Sequence, residues 1–260
     1  MIGIFDSGLG GLFALSALRR RLPRADILYY ADEAHLPYGE KSPDFLLARA
    51  RAITAGLRAL GARVLFAACG TLGATALPTL KNECPLPLYG IIEPLAHKAA
   101  QKARQGGEIL LLATEATIRS GILAAKIAAF ATHAPLHTLP CPTFVPLVEG
   151  WRGAREEDVL ACIEKTLSPY LHAEVGVVAL GCTHFSPLAP YISRLFPAAA
   201  VVDGAREGAA ALSAAIPSRL AAGEGRLRIL TSGDPAVFRR RAEPHFSPSL
   251  LPSTVEYCVF

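Results

Sequence analysis

The chain has 260 residues, a formal net charge of +4 and 18% charged residues. It is long enough to bury a sizeable core and too weakly basic for the dense Lys/Arg surface of a nucleic-acid binder. Hydrophobic residues make up 52% of it, yet no unbroken apolar run approaches the roughly 20 residues of a membrane span. A cytoplasmic protein that engages neither nucleic acid nor membrane is expected. The cysteines, Cys69, Cys84, Cys141, Cys162, Cys182 and Cys258, include no C-x-x-C pair. They read as reduced thiols rather than a zinc or dithiol site.

Met1 to Phe5 reads as a strand. It runs into the turn Gly8-Leu9-Gly10-Gly11 and a helix through about Arg21. Ile27 to Ala31 is a second strand, Pro43 to Leu60 a helix, and Val64 to Ala68 a third strand. Leu88 to Ile91, Ile109 to Ala113, Leu136 to Leu139, Val175 to Leu180, Ala200 to Val202 and Leu227 to Thr231 continue the series. Apolar strands spaced by helical segments predict an α/β protein with mainly parallel sheets. Arg239-Arg240-Arg241 reads as a solvated helix face.

A weak internal repeat divides the chain. Asp6, after the first strand, is matched by Thr114, 108 positions later. The loop at Pro37-Tyr38-Gly39 is echoed by Val148-Glu149-Gly150, with Gly39 and Gly150 111 positions apart. Ala68-Cys69-Gly70-Thr71 is echoed by Leu180-Gly181-Cys182-Thr183, with the cysteines 113 apart. Similar features recur in one order at slowly growing offsets, which points to two similar α/β halves. If the halves face each other, each places one cysteine at the carboxyl end of a strand, where open α/β sheets bind ligands.

A matched pair of thiols on opposite walls suits racemisation. One base removes a Cα proton, an acid returns one to the other face, and the two swap roles in reverse. Taken singly, either cysteine reads as a small buried core residue; the matched pair makes chemistry the better reading. Asp6 and Ser7 precede glycines that let backbone N–H groups approach an anion, and both types also serve as helix caps. The glycine run is no dinucleotide fingerprint, because Phe13 stands where the last glycine belongs. His184 follows Cys182 closely enough to exchange a proton with it. The Cys182-Thr183-His184 segment offers too few ligands for a metal. Glu149 reads as a surface carboxylate or as a residue that orients His184.

Over nearly its full length the chain resembles the glutamate racemase family. The resemblance rests on Gly3-Ile4-Phe5-Asp6-Ser7-Gly8-Leu9-Gly10-Gly11, Pro37-Tyr38-Gly39, Ala68-Cys69-x-Thr71 and Ala113-Thr114 through Thr117-Ile118-Arg119-Ser120. Val148-Glu149, Leu180-Gly181-Cys182-Thr183-His184 and, more weakly, Thr231-Ser232-Gly233-Asp234 complete it. It implies two pseudo-symmetric three-layer α/β domains with the active site in the cleft between them. One domain would comprise residues 1–92 plus 206–260, the other 93–205.

The resemblance also implies interconversion of L- and D-glutamate by 1,1-proton transfer without pyridoxal phosphate or metal, supplying D-glutamate for peptidoglycan. Cys69 and Cys182 would be the proton donor/acceptors, with Asp6, His184 and Glu149 assisting. Asp6, Ser7, Tyr38, Gly39, Gly70, Thr71, Thr117, Thr183 and His184 would contact a small amino-acid substrate. A homodimer is suggested.

The sequence departs from the family pattern at Gly70, where the usual residue is Asn. The residues after Thr71 differ too, and Ser186 replaces the usual Pro. The loss of the Asn amide leads to an expectation that Gly70→Asn lowers the Michaelis constant for glutamate. It also keeps two other readings open. One is a racemase of aspartate or another amino acid. The other is a weakly catalytic relative that binds an acidic small molecule.

Overall fold

The computed structural model describes residues 1–150, 155–247, 250–252 and 254–260. Its strands are β1 (Ile2–Asp6), β2 (Ile27–Ala31), β3 (Val64–Ala67), β4 (Leu88–Gly90), β5 (Glu108–Ala113), β6 (Leu136–Pro140), β7 (Val175–Leu180), β8 (Ala200–Asp203), β9 (Leu227–Thr231) and β10 (Glu256–Tyr257). They form a six-stranded sheet in the order β10-β9-β2-β1-β3-β4 and a four-stranded sheet in the order β6-β5-β7-β8. Every strand pairing in both is parallel. The expected α/β class with parallel sheets is what the chain adopts. β1, β2 and β3 are buried at every position, as strands covered by helices on both faces must be.

The repeat is topological as well as local. β2-β1-β3-β4 in the first sheet has the same order as β6-β5-β7-β8 in the second. β1 thus corresponds to β5 and β3 to β7, so Cys69 and Cys182 leave equivalent strands. β10 was not anticipated; it is two exposed residues on the sheet edge beside β9, too short for a periodic signal.

Between the sheets, the helices Gly11–Arg21, Ile92–Ala103 and Gly204–Ala215 share one continuous core that also takes in Ile4, Phe66, Leu111 and Val177. Ala96, Ala99, Ala100, Ala205 and Ala209 line it. Small side chains let the helices approach closely while keeping high helix propensity. Each sheet has a second core on its outer face, around Phe5, Tyr30 and Leu65 in one and Leu110, Phe144 and Phe185 in the other. The expected boundaries at 92/93 and 205/206 both fall inside the shared helical layer. Among the described residues no helix is long and apolar enough to cross a membrane.

Candidate active site

β1 delivers Asp6 to the carboxyl end of the first sheet, where it is almost wholly buried. The turn that follows brings the Gly11 backbone N–H back to donate to its Oδ2. Tyr29, fully buried on the neighbouring strand, fixes the turn by donating to the Gly8 carbonyl at 2.5 Å. Gly10 is required by what lies opposite. A Cβ there would stand within 3.0 Å of the His184 ring and the Thr183 hydroxyl, which come from the other half.

β3 delivers Cys69, whose thiol lies 4.0 Å from the Ser7 hydroxyl. β7 delivers Cys182, within hydrogen-bond reach of His184. The two cysteines are only 6% and 7% exposed, so the cleft is closed over both. Burial pushes the Cys69 thiol well up, and the charges of Asp6 and Cys182 add to the rise. Cys69 therefore rests as the thiol. Burial also raises the Asp6 carboxyl, against the pull of the His184 charge and of the Ser7 and Gly11 backbone N–H groups. For His184, burial opposes the charged form. Its hydrogen bonds to Cys182 and Glu149 outweigh this and lift the imidazole to about 10.

His184 Nε2 lies 3.1 Å from Glu149 Oε1. The Glu149 carboxyl is opposed by burial but held below its usual range by His184 and Arg241. An ionised carboxylate only accepts, so Nε2–H is the donor. Of the two roles open to Glu149, the geometry places it on His184.

Hydroxyls from both halves meet beside the thiols. Thr71 lies 3.2 Å from Thr114 and 3.5 Å from Thr117, and those two are 2.9 Å apart. Thr114 also caps the Glu115–Ser120 helix by accepting from the Thr117 N–H at 3.3 Å. Thr71, Thr117 and Thr183 are all buried. The structure thus brings Asp6, Ser7, Cys69, Gly70, Thr71, Thr117, Cys182, Thr183, His184 and Glu149 to one cleft. Gly70 Cα abuts the Gly181 carbonyl across it, with no room for a Cβ. The expectation that Gly70→Asn tightens binding is opposed by this contact, because the added side chain meets backbone. Ser186 also finds a use: its hydroxyl donates to buried Asp203 at 3.0 Å.

Tyr38 is buried, and its hydroxyl donates to Asp32 Oδ2 at 2.7 Å. Gly39 lies beside the Glu115–Ser120 helix, its carbonyl accepting from Arg119 at 3.4 Å. Asp32, missed in the sequence, is the hub of this loop. It also takes a two-armed contact from Arg49 at 3.0 and 2.8 Å, and bonds from His35 at 2.9 Å and Ser232 at 3.2 Å. Burial opposes the Asp32 charge, but Arg49, Tyr38 and His35 together hold its carboxyl below the ordinary range. Acidic residues directly after a strand's carboxyl end were the available signal.

Tyr38→Phe should therefore destabilise the fold by about 1.5–3 kcal/mol, the worth of a hydrogen bond to a charged group. A carboxyl depressed by folding stabilises fully above its unfolded pKa and loses that contribution as pH falls through the folded one. The gap between variant and wild type should accordingly shrink in urea melts below about pH 4. A gap independent of pH would remove Asp32 from the account.

Arg239-Arg240-Arg241 is not simply a solvated face. Arg241 is pinned between two carboxylates, Glu33 and Glu149, at 2.7 Å each. Among the described residues no group of His, Cys, Asp and Glu is arranged to hold a metal.

Residues 14–212 match the family described as Asp/Glu/Hydantoin racemase. This chain belongs to that family. Within it, the chain is 38% identical to the glutamate racemase of Gloeobacter violaceus, over 94% of this chain and 91% of that one. It is 36% identical to that of Pseudomonas paraeruginosa, over 98% and 91%. Its fold superposes on the glutamate racemase of Thermus thermophilus, solved with β-chloro-D-alanine. The TM-score is 0.83 and the identity 32%, covering 99% of this chain and 95% of that one.

Proposed function

We propose that this protein interconverts L- and D-glutamate by 1,1-proton transfer between Cys69 and Cys182, without a cofactor. In the cytoplasm it would supply D-glutamate for peptidoglycan. The observation that carries the reading is the pair of buried thiols on equivalent strands, Cys69 after β3 and Cys182 after β7. Asp6 stands beside the first and His184 beside the second, each coupled electrostatically to its neighbour. The names of the family's relatives support glutamate as substrate.

In one direction a sulfur, as thiolate, takes the Cα proton. The other, as thiol, returns one to the opposite face, and the roles exchange for the reverse reaction. Asp6 and His184 are placed to pass protons to and from their cysteines. The hydroxyls of Ser7, Thr71, Thr117 and Thr183, with the backbone at Gly39 and Gly70, are the groups available to the substrate's charged ends. A second reading, aspartate or another amino acid, is kept open by Gly70, which lacks the side-chain amide usual in the family at that position.

Each enantiomer of glutamate and aspartate, incubated in deuterated buffer with protein dialysed against chelator, separates these readings. Deuterium should enter Cα of both glutamate enantiomers. The kcat/KM values should be equal in the two directions, because enantiomers have equal free energy. Faster exchange into aspartate would replace glutamate as the substrate. Activity restored only by a metal or pyridoxal phosphate would end the cofactor-free mechanism.

A further inference from the structure

Arg241 lies on the Pro235–Ala242 helix, which follows β9 of the six-stranded sheet. Its guanidinium reaches Glu33 Oε1 on its own half and Glu149 Oε2 on the other, each at 2.7 Å. Glu33 is fixed in turn by the Thr231 hydroxyl at 3.2 Å. The other oxygen of Glu149 faces His184. The same C-terminal segment grips the same helix end a second time, with His245 Nε2 2.8 Å from the Val148 carbonyl. Glu149 ends the short Phe144–Glu149 helix, so its own element gives it little anchorage.

We infer that Arg241 is a positioning residue for Cys182. It clamps Glu149 against His184 Nε2 and so fixes the imidazole that exchanges protons with that cysteine, making no contact of its own with Cys69. The inference rests on the two-thiol reading above. Arginine suits the task because its planar fork can address two carboxylates at once in fixed geometry, which an ammonium cannot. One oxygen of Glu149 is held by the first half of the molecule, and the other aims the histidine of the second. The acid–base side at Cys182 is therefore complete only when the C-terminal helix is docked. The Cys69 side, built from Asp6 and Ser7, feels this clamp only indirectly, through the His184 charge beside Asp6.

That asymmetry supplies the test. Elimination from a β-chloro amino acid needs only one base. The Cα proton goes to sulfur, the C–H electron pair forms the Cα=Cβ bond, and chloride leaves. In a Cys69→Ser background Cys182 is the only thiol base, and Arg241→Gln should slow elimination about tenfold with KM changed less than twofold. In a Cys182→Ser background, with the opposite enantiomer, the same change should stay within twofold. Arg241→Lys should lie between, because one ammonium keeps the charge without the fork. Equal losses in both backgrounds would make Arg241 a general structural strut and overturn the inference, as would no loss in either.

A second measurement needs no turnover and stands if the racemase reading fails. The His184 Nε2 proton should give a downfield, solvent-protected NMR resonance that Glu149→Gln abolishes. Arg241→Gln should speed its exchange with solvent at least tenfold in protein whose backbone spectrum is otherwise unchanged. An unaltered exchange rate there removes Arg241 from the positioning of His184. Should Arg241→Gln fail to fold, Arg241→Lys carries both measurements, with the same signs and smaller size.

Discussion

Cys69→Ser and Cys182→Ser are each expected to lower racemisation of glutamate by roughly 10²–10⁴-fold, the range a positioned acid or base contributes. A serine hydroxyl is too weak an acid and its alkoxide too rare at neutral pH to replace either thiol. The loss should appear in both directions for each variant, since every turnover needs one group to take a proton and the other to give one. Equal free energy of the enantiomers also forces kcat/KM to fall equally in the two directions. Elimination breaks that symmetry, because it stops after the first proton transfer. Each variant should eliminate chloride from a β-chloro substrate of one handedness and not the other, and the two should choose opposite hands. Full racemase activity in either variant sinks the two-thiol mechanism. Retention of the same hand by both would place the thiols on one face of the substrate.

The sulfur pair was legible because it lies where local patterns are strongest. Cys69 and Cys182 each follow a short apolar strand and precede a threonine, and the echo between them is carried by residues adjacent in sequence. Strands such as β2 and β7 run between the expected residues because their apolar character starts and stops sharply. Arg241 was not legible, for a different reason. Arg241 meets Glu33 across 208 positions and Glu149 across 92. Nothing beside it in the chain distinguishes it from Arg240. An arginine run on a helix reads as solvated until tertiary structure brings carboxylates to it. Tyr38 shows the converse limit. Its loop is recognisable, yet only the fold reveals that the hydroxyl is engaged by Asp32.

Gly70 is where composition and packing give opposite expectations. As a missing amide, it suggests that Gly70→Asn restores a hydrogen bond to a charged group. That would lower the Michaelis constant by about one to two orders of magnitude, given roughly 1.5–3 kcal/mol for such a bond. As a point of contact, it predicts the reverse. A Cβ at position 70 would fall well inside 3.0 Å of the Gly181 carbonyl oxygen, and ordinary contact begins near 3.4 Å. Both partners are backbone at the mouths of rigid sheets, so no side chain can swing away. The halves must part by about 1 Å, and a displacement of that size at reacting groups lowers the rate by on the order of 100-fold. Because Gly181 immediately precedes Cys182, the shift acts directly on a thiol. We therefore expect Gly70→Asn to lower kcat for glutamate by at least roughly 100-fold, and Gly70→Ala to do the same. The alanine variant separates the causes: it adds the Cβ without the amide. If alanine is harmless while asparagine lowers the Michaelis constant, the halves open freely in the working enzyme and the amide view prevails. If both variants lose kcat together, the contact between Gly70 and Gly181 sets how far this cleft closes, and glycine at position 70 is a condition of that closure.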